Sequence, residues 1–352
     1  MNKKINIILP GLGNSGGIIV IKKYAEMLSE VGWDVVIYSP VKAYNLHRYK
    51  SEFENLIHQI YCTIKTVLEL RSKHYCKWIW SVSDQTIRNA DFTMATLWAT
   101  AFDVAKLDGK KGEKVYFVQD YEVWDNPALA KQTYFFPLKK IVISTWINER
   151  LEKELGIGPF PIVYNGMDEN LYYKRNYVNK KCACLNFLML NHKLEKKGVK
   201  EGITVFETIH EKYPMAQLSM FGMCDNSNVP EYVEYYQNPT KEKIKELYSS
   251  SDIFIFPSLE EGWGLTPLEA MACGCIVVGT ETGFVLDLGI HEENMMISQP
   301  GDVDGMVHNI ELLLEDSTLV EKIRKNAYVT VSKLNWESSR DKLIGCLLRD
   351  KL

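Results

Sequence analysis

Two glutamates, Glu261 and Glu269, stand eight positions apart in residues 256–283, FPSLEEGWGLTPLEAMACGCIVVGTETG, with the turn Gly262-Trp263-Gly264 between them. The order of residue types reads as strand, glycine-rich loop, helix and strand. Thr266 suits an N-cap, Pro267 the first helical position and Glu269 the far end of a capping box. A helix entered through such a loop offers free backbone N–H groups and a positive dipole end, a combination that favours phosphate. A site for a phosphorylated ligand follows. Glu269 also has a bland explanation, because an acid at that place in T-x-x-E caps the helix without any ligand. Glu261 has none. It precedes the cap, beside glycines that let a ligand approach the backbone, and no helix geometry asks for an acid there.

The stretch PSLEEGWGLTPLEAMACGCIVV resembles, almost without a break, the donor-site signature of the family-4 retaining glycosyltransferases, with Ile276 where that signature has proline. The resemblance implies an α/β protein of GT-B fold, two Rossmann-like domains facing a central cleft. It implies that Glu261 meets the sugar hydroxyls of a nucleotide diphosphate sugar and that Glu269 holds the ribose hydroxyls, capping and binding at once. Backbone amides across Gly262, Trp263, Gly264, Leu265 and Thr266 would face the sugar and diphosphate. The pair Lys197-Gly198 matches the K-G of the family's R-x4-K-G loop, whose cations steady the leaving diphosphate. The arginine position falls on His192, so Lys193 or Lys196 would have to supply the missing charge.

Length and composition set the frame for these residues. A chain of 352 residues exceeds one ordinary core, so two domains are expected. No apolar run of membrane-spanning length and no signal segment is read, and a cytoplasmic protein is expected. The eight cysteines, at 62, 76, 182, 184, 224, 273, 275 and 346, form no C-x-x-C pair and no zinc spacing; reduced thiols are expected. Charge is divided unevenly, +5 over residues 1–180 and −9 over the remainder.

Along the chain, a strand at 5–9, a glycine-rich loop, a helix with Ile18, Ile21, Ala25 and Leu28 on one face, and a strand at 35–38 make a β-loop-α-β unit. Its Gly11-x-Gly13-x-x-Gly16 is formally a dinucleotide fingerprint. A nicotinamide-dependent oxidoreductase would want an acid at the end of the second strand, where this chain has Tyr38-Ser39-Pro40. The resemblance instead assigns Gly16 and Gly17 to the donor diphosphate. Further strands are expected at 92–95, 115–118 and 141–143. The polar clusters at the ends of the latter two, Gln119-Asp120-Tyr121-Glu122 and Ser144-Thr145, lie where open parallel sheets face a ligand. Asp120 and Glu122 are thus acceptor-side candidates, with Asp120 joining Glu261 and Lys197 as catalytic candidates. Gln119 occupies the place of a histidine found in many relatives.

Residues 42–80 read as less regular. They carry Lys42, Arg48, Lys50, Lys65, Arg71, Lys73 and Lys77 against three acids and end in Trp78 and Trp80, a composition suited either to an anionic membrane surface or to a solvated face. Residues 162–168 resemble the V-x-N-G-V-D segment that leads out of the first domain, and 174–181 read as the linker. The second domain opens with a strand at 185–190 and a helix carrying Val199, Ile203, Phe206 and Ile209. Strands at 217–221 and 253–256 follow. Helices are expected at 302–314, 319–331 and 336–348, with Asp302 as an N-cap rather than part of a metal-binding D-x-D. By resemblance the last helix crosses back, giving domains 1–175 plus about 336–352, and 182–335. The expected reaction is sugar transfer from a nucleotide diphosphate sugar to a glycan or lipid-linked acceptor, with neither metal nor cofactor and no nucleic-acid partner. A non-catalytic nucleotide-sugar binding module is the other alternative.

Overall fold

The structure, a computed structural model, describes residues 3–11, 15–46, 50–70, 76–168 and 185–349. Two compact units are present: residues 1–143, 147–164 and 337–352 form the first, and residues 144–146 and 165–336 the second. The linker expected at 174–181, Gly13, Arg48, Arg71, Lys73, Cys182 and Cys184 lie outside the described residues.

The first unit runs β1 (Lys4–Ile8), α1 (Gly16–Glu30), β2 (Asp34–Pro40), α2 (Glu52–Leu70), β3 (Lys77–Ile79), β4 (Phe92–Ala95), α3 (Trp98–Lys106), β5 (Glu113–Val118), α4 (Pro127–Thr133), β6 (Lys139–Val142) and α5 (Thr145–Leu155). Its sheet has the order β3-β2-β1-β4-β5-β6, every pair parallel. Parallel strands covered on both faces need near-continuous apolar runs, and Val115, Tyr116, Phe117 and Val118 of β5 are all fully buried. The stretch expected to be irregular instead contains α2, a helix of 19 residues.

The second unit runs β7 (Asn186–Asn191), α6 (Val199–Lys212), β8 (Gln217–Gly222), β9 (Glu234–Gln237), α7 (Lys241–Ser250), β10 (Ile253–Phe256), α8 (Leu265–Ala272), β11 (Ile276–Thr280), α9 (Val285–Leu288), β12 (Met296–Ser298), α10 (Val303–Glu315) and α11 (Ser317–Val331), and the chain ends in α12 (Trp336–Leu348). The sheet order is β12-β11-β10-β7-β8-β9, again parallel throughout. Val205, Phe206 and Ile209 of α6 pack with Met189, Ile255 and Val278 in its core. Asp302 caps α10 by accepting the Gly305 amide at 2.9 Å. Past Trp336, α12 belongs to the first unit, where Lys139 Nζ donates to the carbonyl oxygens of Leu347 and Arg349 at 3.2 and 2.6 Å. The six described cysteines are free thiols.

Candidate active site

After β7 the chain makes a 3-10 turn at Glu195–Lys197 and reaches Gly198 in the left-handed region, φ +62°. A Cβ there would stand 1.9 Å from the Pro257 carbonyl oxygen, so the turn lies directly on the chain leaving β10. The amides of Leu259 and Glu260 donate to the Lys196 carbonyl oxygen at 2.8 and 3.1 Å, fixing the two loops to each other. This lock places the Lys197 ammonium on the Glu261 carboxylate as an ion pair, with the side chains 18% and 16% exposed. Two residues 64 positions apart therefore meet at one point, each still open to solvent.

The loop beyond Glu261 differs from the capping reading. Gly264, φ +96°, is the N-cap of α8, so the helix starts at Leu265 and encloses Thr266 and Pro267 in its first turn. No side chain caps it. A glycine in this conformation ends the loop two residues before the T-P-L-E signal, which leaves Glu269 in the second turn rather than in a box. Glu269 Oε2 accepts instead from the buried Tyr248 hydroxyl at 3.0 Å. We expect Tyr248→Phe to lower stability by about 1–2 kcal/mol through loss of this bond to a charged acceptor. A double-mutant cycle of thermal melts checks it: Tyr248→Phe should add little once Glu269→Ala is present, whereas full additivity rules the contact out.

Trp263 is almost fully buried, edge-on to Phe284 with ring centroids 6.3 Å apart, and its carbonyl accepts the Phe284 amide at 2.8 Å. Its indole thus braces the loop from behind. The Gly262 carbonyl accepts from Ser144 Oγ at 2.7 Å. The first amides of α8, those of Leu265 and Thr266, have no intrahelical acceptor by geometry and carry the positive end of the helix.

Lys193 is not brought to this point. Its ammonium pairs with Asp225 Oδ2 at 2.7 Å, and the side chain is 63% exposed. His192 does feel the pair: burial holds its imidazole below the ordinary value, Lys197 adds to the lowering, Glu261 opposes it and Lys196 adds a little more. His192 is therefore a neutral ring near neutral pH where the resembled family has a fixed cation.

In the first unit, Gly16 and Gly17 open α1. A Cβ on Gly17 would come within 3.3 Å of the Gln119 amide group, whose Oε1 is buried with no hydrogen-bond partner among the described residues. β2 ends on Ser39 and Pro40, without the acid a nicotinamide ribose requires. Asp120 is half-buried and its Oδ1 accepts the Tyr121 amide at 2.9 Å. Glu122, expected on the acceptor side, is 3% exposed. Its Oε2 accepts from the Trp98 amide and the Tyr116 hydroxyl, both at 2.6 Å, so it closes the N-terminus of α3 from inside. Burying an acid this deeply requires donors such as these, and they leave Glu122 a structural residue.

A cavity of about 330 Å³ opens beyond β2 and beside α2 and α3, lined in part by Lys42, Tyr44, Gln59, Trp98 and Asp103. Asp103 is held above its usual carboxylate value by burial, partly offset by Tyr44, Lys106 and Lys42. Burial first, and then Asp103, raises the Tyr44 phenol. The residue pattern gave one signal for this acid: Asp103 is the sole carboxylate of α3.

Comparison with known proteins finds similarity to glycosyltransferases. Residues 185–330 match the family model described as Glycosyl transferases group 1. The capsular polysaccharide biosynthesis glycosyltransferase CapM of Staphylococcus aureus is 28% identical over 218 residues, 56% of this chain and 56% of that one. The chain thus spans about half the length of such curated relatives. Among solved structures, sucrose-phosphate synthase from Thermosynechococcus elongatus superposes with a TM-score of 0.72 at 17% identity, covering 98% of both chains. HepE from Anabaena, in complex with UDP-glucose, gives 0.72 at 15% identity, covering 98% of this chain and 99% of that one. These similarities show the GT-B fold. The segment that matches the group 1 glycosyl transferases model, residues 185–330, is the one that carries Lys197, Glu261 and Glu269.

Proposed function

We propose that this protein is a retaining glycosyltransferase of the family-4 type, moving a sugar from a nucleotide diphosphate sugar to a glycan or lipid-linked acceptor in cell-surface polysaccharide assembly. The observation that carries the reading is the meeting of Lys197 and Glu261 four residues ahead of the first turn of α8. The barrier to transfer is charge on the departing diphosphate and on the oxocarbenium-like carbon, and preorganised cations and dipoles lower it. In the free protein Lys197 and Glu261 neutralise each other. An arriving diphosphate competes for Lys197 and releases the Glu261 carboxylate to accept from sugar hydroxyls, so one event prepares both ends of the breaking bond. The amides of Leu265 and Thr266 and the dipole of α8 add to the stabilisation of the phosphate. Glu269, oriented by Tyr248, accepts from the ribose. His192 contributes a hydrogen-bond donor and Lys197 the fixed charge.

With substitution on one face of the sugar, the leaving phosphate takes the acceptor's proton and no dedicated base is needed. Asp120 orients the acceptor. Asp103 and Tyr44 bind its hydroxyls in the cavity beside α3. CapM, by name a capsular polysaccharide glycosyltransferase, and HepE, solved with UDP-glucose, support the class of donor and product. No helix among the described residues is long and apolar enough to cross a membrane. The reading places the protein in the cytoplasm, peripheral to the inner face of the membrane that carries its acceptor.

Among the described residues no three His, Cys, Asp or Glu side chains converge in a way that could hold a metal ion. Release of nucleoside diphosphate from a panel of nucleotide sugars, measured before and after exhaustive chelation, tests the reaction. One donor should be turned over, at a rate unchanged by chelation. A loss restored by magnesium or manganese overturns the metal-free mechanism, and turnover of no donor favours a binding module.

A further inference from the structure

Helix α2 is built inside out. At 100° per residue, Asn55, His58, Gln59, Cys62, Thr63 and Thr66 fall on one side, and these are the side chains buried or half-buried against the protein. Gln59 Nε2 donates to the Ala43 carbonyl at 2.6 Å, and the Ala43 amide donates to Thr63 Oγ1 at 3.0 Å. The opposite side carries Phe53, Leu56, Ile57, Ile60, Tyr61, Ile64, Val67 and Leu68, each between 45% and 69% exposed. A surface helix of a water-soluble protein turns its apolar stripe to the core, and this one turns it to solvent. The stripe runs about 22 Å along the axis and covers about 140° of the helix, the proportions of a helix lying in a membrane interface.

We propose that the apolar face of α2 is the surface by which this protein lies on an anionic phospholipid bilayer. The inference rests on the membrane-borne acceptor of the reading above and is independent of its donor chemistry. Two features select a bilayer over another protein surface. Exposed lysines accompany the stripe in sequence, Lys50 before it, Lys65 within α2 and Lys77 after it on β3, with the acids Glu52 and Glu54 in the first turn of the helix. Trp78 and Trp80, 41% and 64% exposed, stand beside Lys77 and supply the indoles that settle at headgroup depth. The polar side of α2 also puts Gln59 on the wall of the 330 Å³ cavity.

Co-sedimentation of the full chain with vesicles tests this, using phosphatidylcholine alone and phosphatidylcholine mixed with phosphatidylglycerol. The wild type should bind the anionic vesicles, less so as salt rises. The pair Ile60→Asp and Ile64→Asp should weaken that binding about tenfold or more, as should Phe53→Ser with Leu68→Ser, which probes the ends of the stripe. Both variants should melt at or above the wild-type temperature, because the replaced side chains face water. Unchanged vesicle binding in both overturns the assignment to α2. A wild type indifferent to every vesicle overturns membrane docking, while donor turnover in the same sample reports separately on the reaction. Sedimentation velocity supplies the remaining outcome: a wild-type dimer, lost in the variants and without vesicle binding, gives the surface to a second copy instead.

Discussion

Glu261→Ala abolishes sugar transfer and leaves the protein folded: this is the largest effect expected of any single change in the candidate site. The proposed role of the carboxylate is to hold sugar hydroxyls while charge develops at the anomeric carbon, and loss of one such preorganised contact lowers kcat by about 10²–10³-fold. Its removal also leaves Lys197 without its partner. Because the pair retains solvent contact, that loss costs about 1 kcal/mol rather than the several expected of a fully buried pair. Paired melting curves and rates check both halves of the expectation. Full activity in the variant contradicts the donor-site assignment, and a collapsed melting temperature shows that Glu261 is structural.

Gly198→Ala should be nearly as damaging to activity and far more damaging to the fold. Left-handed backbone at φ +62° costs a residue with a Cβ about 1–2 kcal/mol. The added methyl would stand 1.9 Å from a backbone oxygen that cannot rotate away, so the turn must lift off Pro257. Overpacking of this kind costs about 1–3 kcal/mol more. Lifting the turn carries Lys197 away from Glu261, so the residual activity should fall even at temperatures where the variant remains folded. Chemical denaturation and a rate at low temperature measure the two effects. A variant as stable and active as the wild type contradicts the locked-loop description.

The central strands were legible because parallel strands buried on both faces must be written as apolar runs. Residues 253–256 and 92–95 became β10 and β4 with the expected bounds. The strands that went unread, β3, β9 and β12, lie at sheet edges, are three or four residues long, and carry no such run. Helix α2 went unread for a different reason. Its periodicity is present in the sequence, but an apolar stripe of that kind ordinarily faces a core, and here it is the polar side that packs against the protein.

At the site, the match around Glu261 was legible and the assignment of Lys197 to the same donor site rested on resemblance, but their ion pair was not legible, since no local spacing joins positions 64 apart. The start of α8 was misread because Thr266, Pro267 and Glu269 imitate a capping box, while Gly264 sets the boundary through a left-handed conformation that sequence does not display. Glu122 looked like a ligand-facing acid at a strand end. Its donors, Trp98 and Tyr116, lie 24 and 6 residues earlier and converge on it only in the folded unit.

Calorimetric titration of nucleoside diphosphates into the wild type, Lys197→Ala and Glu269→Ala tests the donor site most directly, since it needs neither acceptor nor turnover. Saturable binding of at least one nucleoside diphosphate is expected, weakened about tenfold or more when the Lys197 charge or the Glu269 ribose contact is removed. No binding by the wild type, or equal binding by all three proteins, contradicts a nucleotide-sugar site built from Lys197, Glu261 and the first turn of α8.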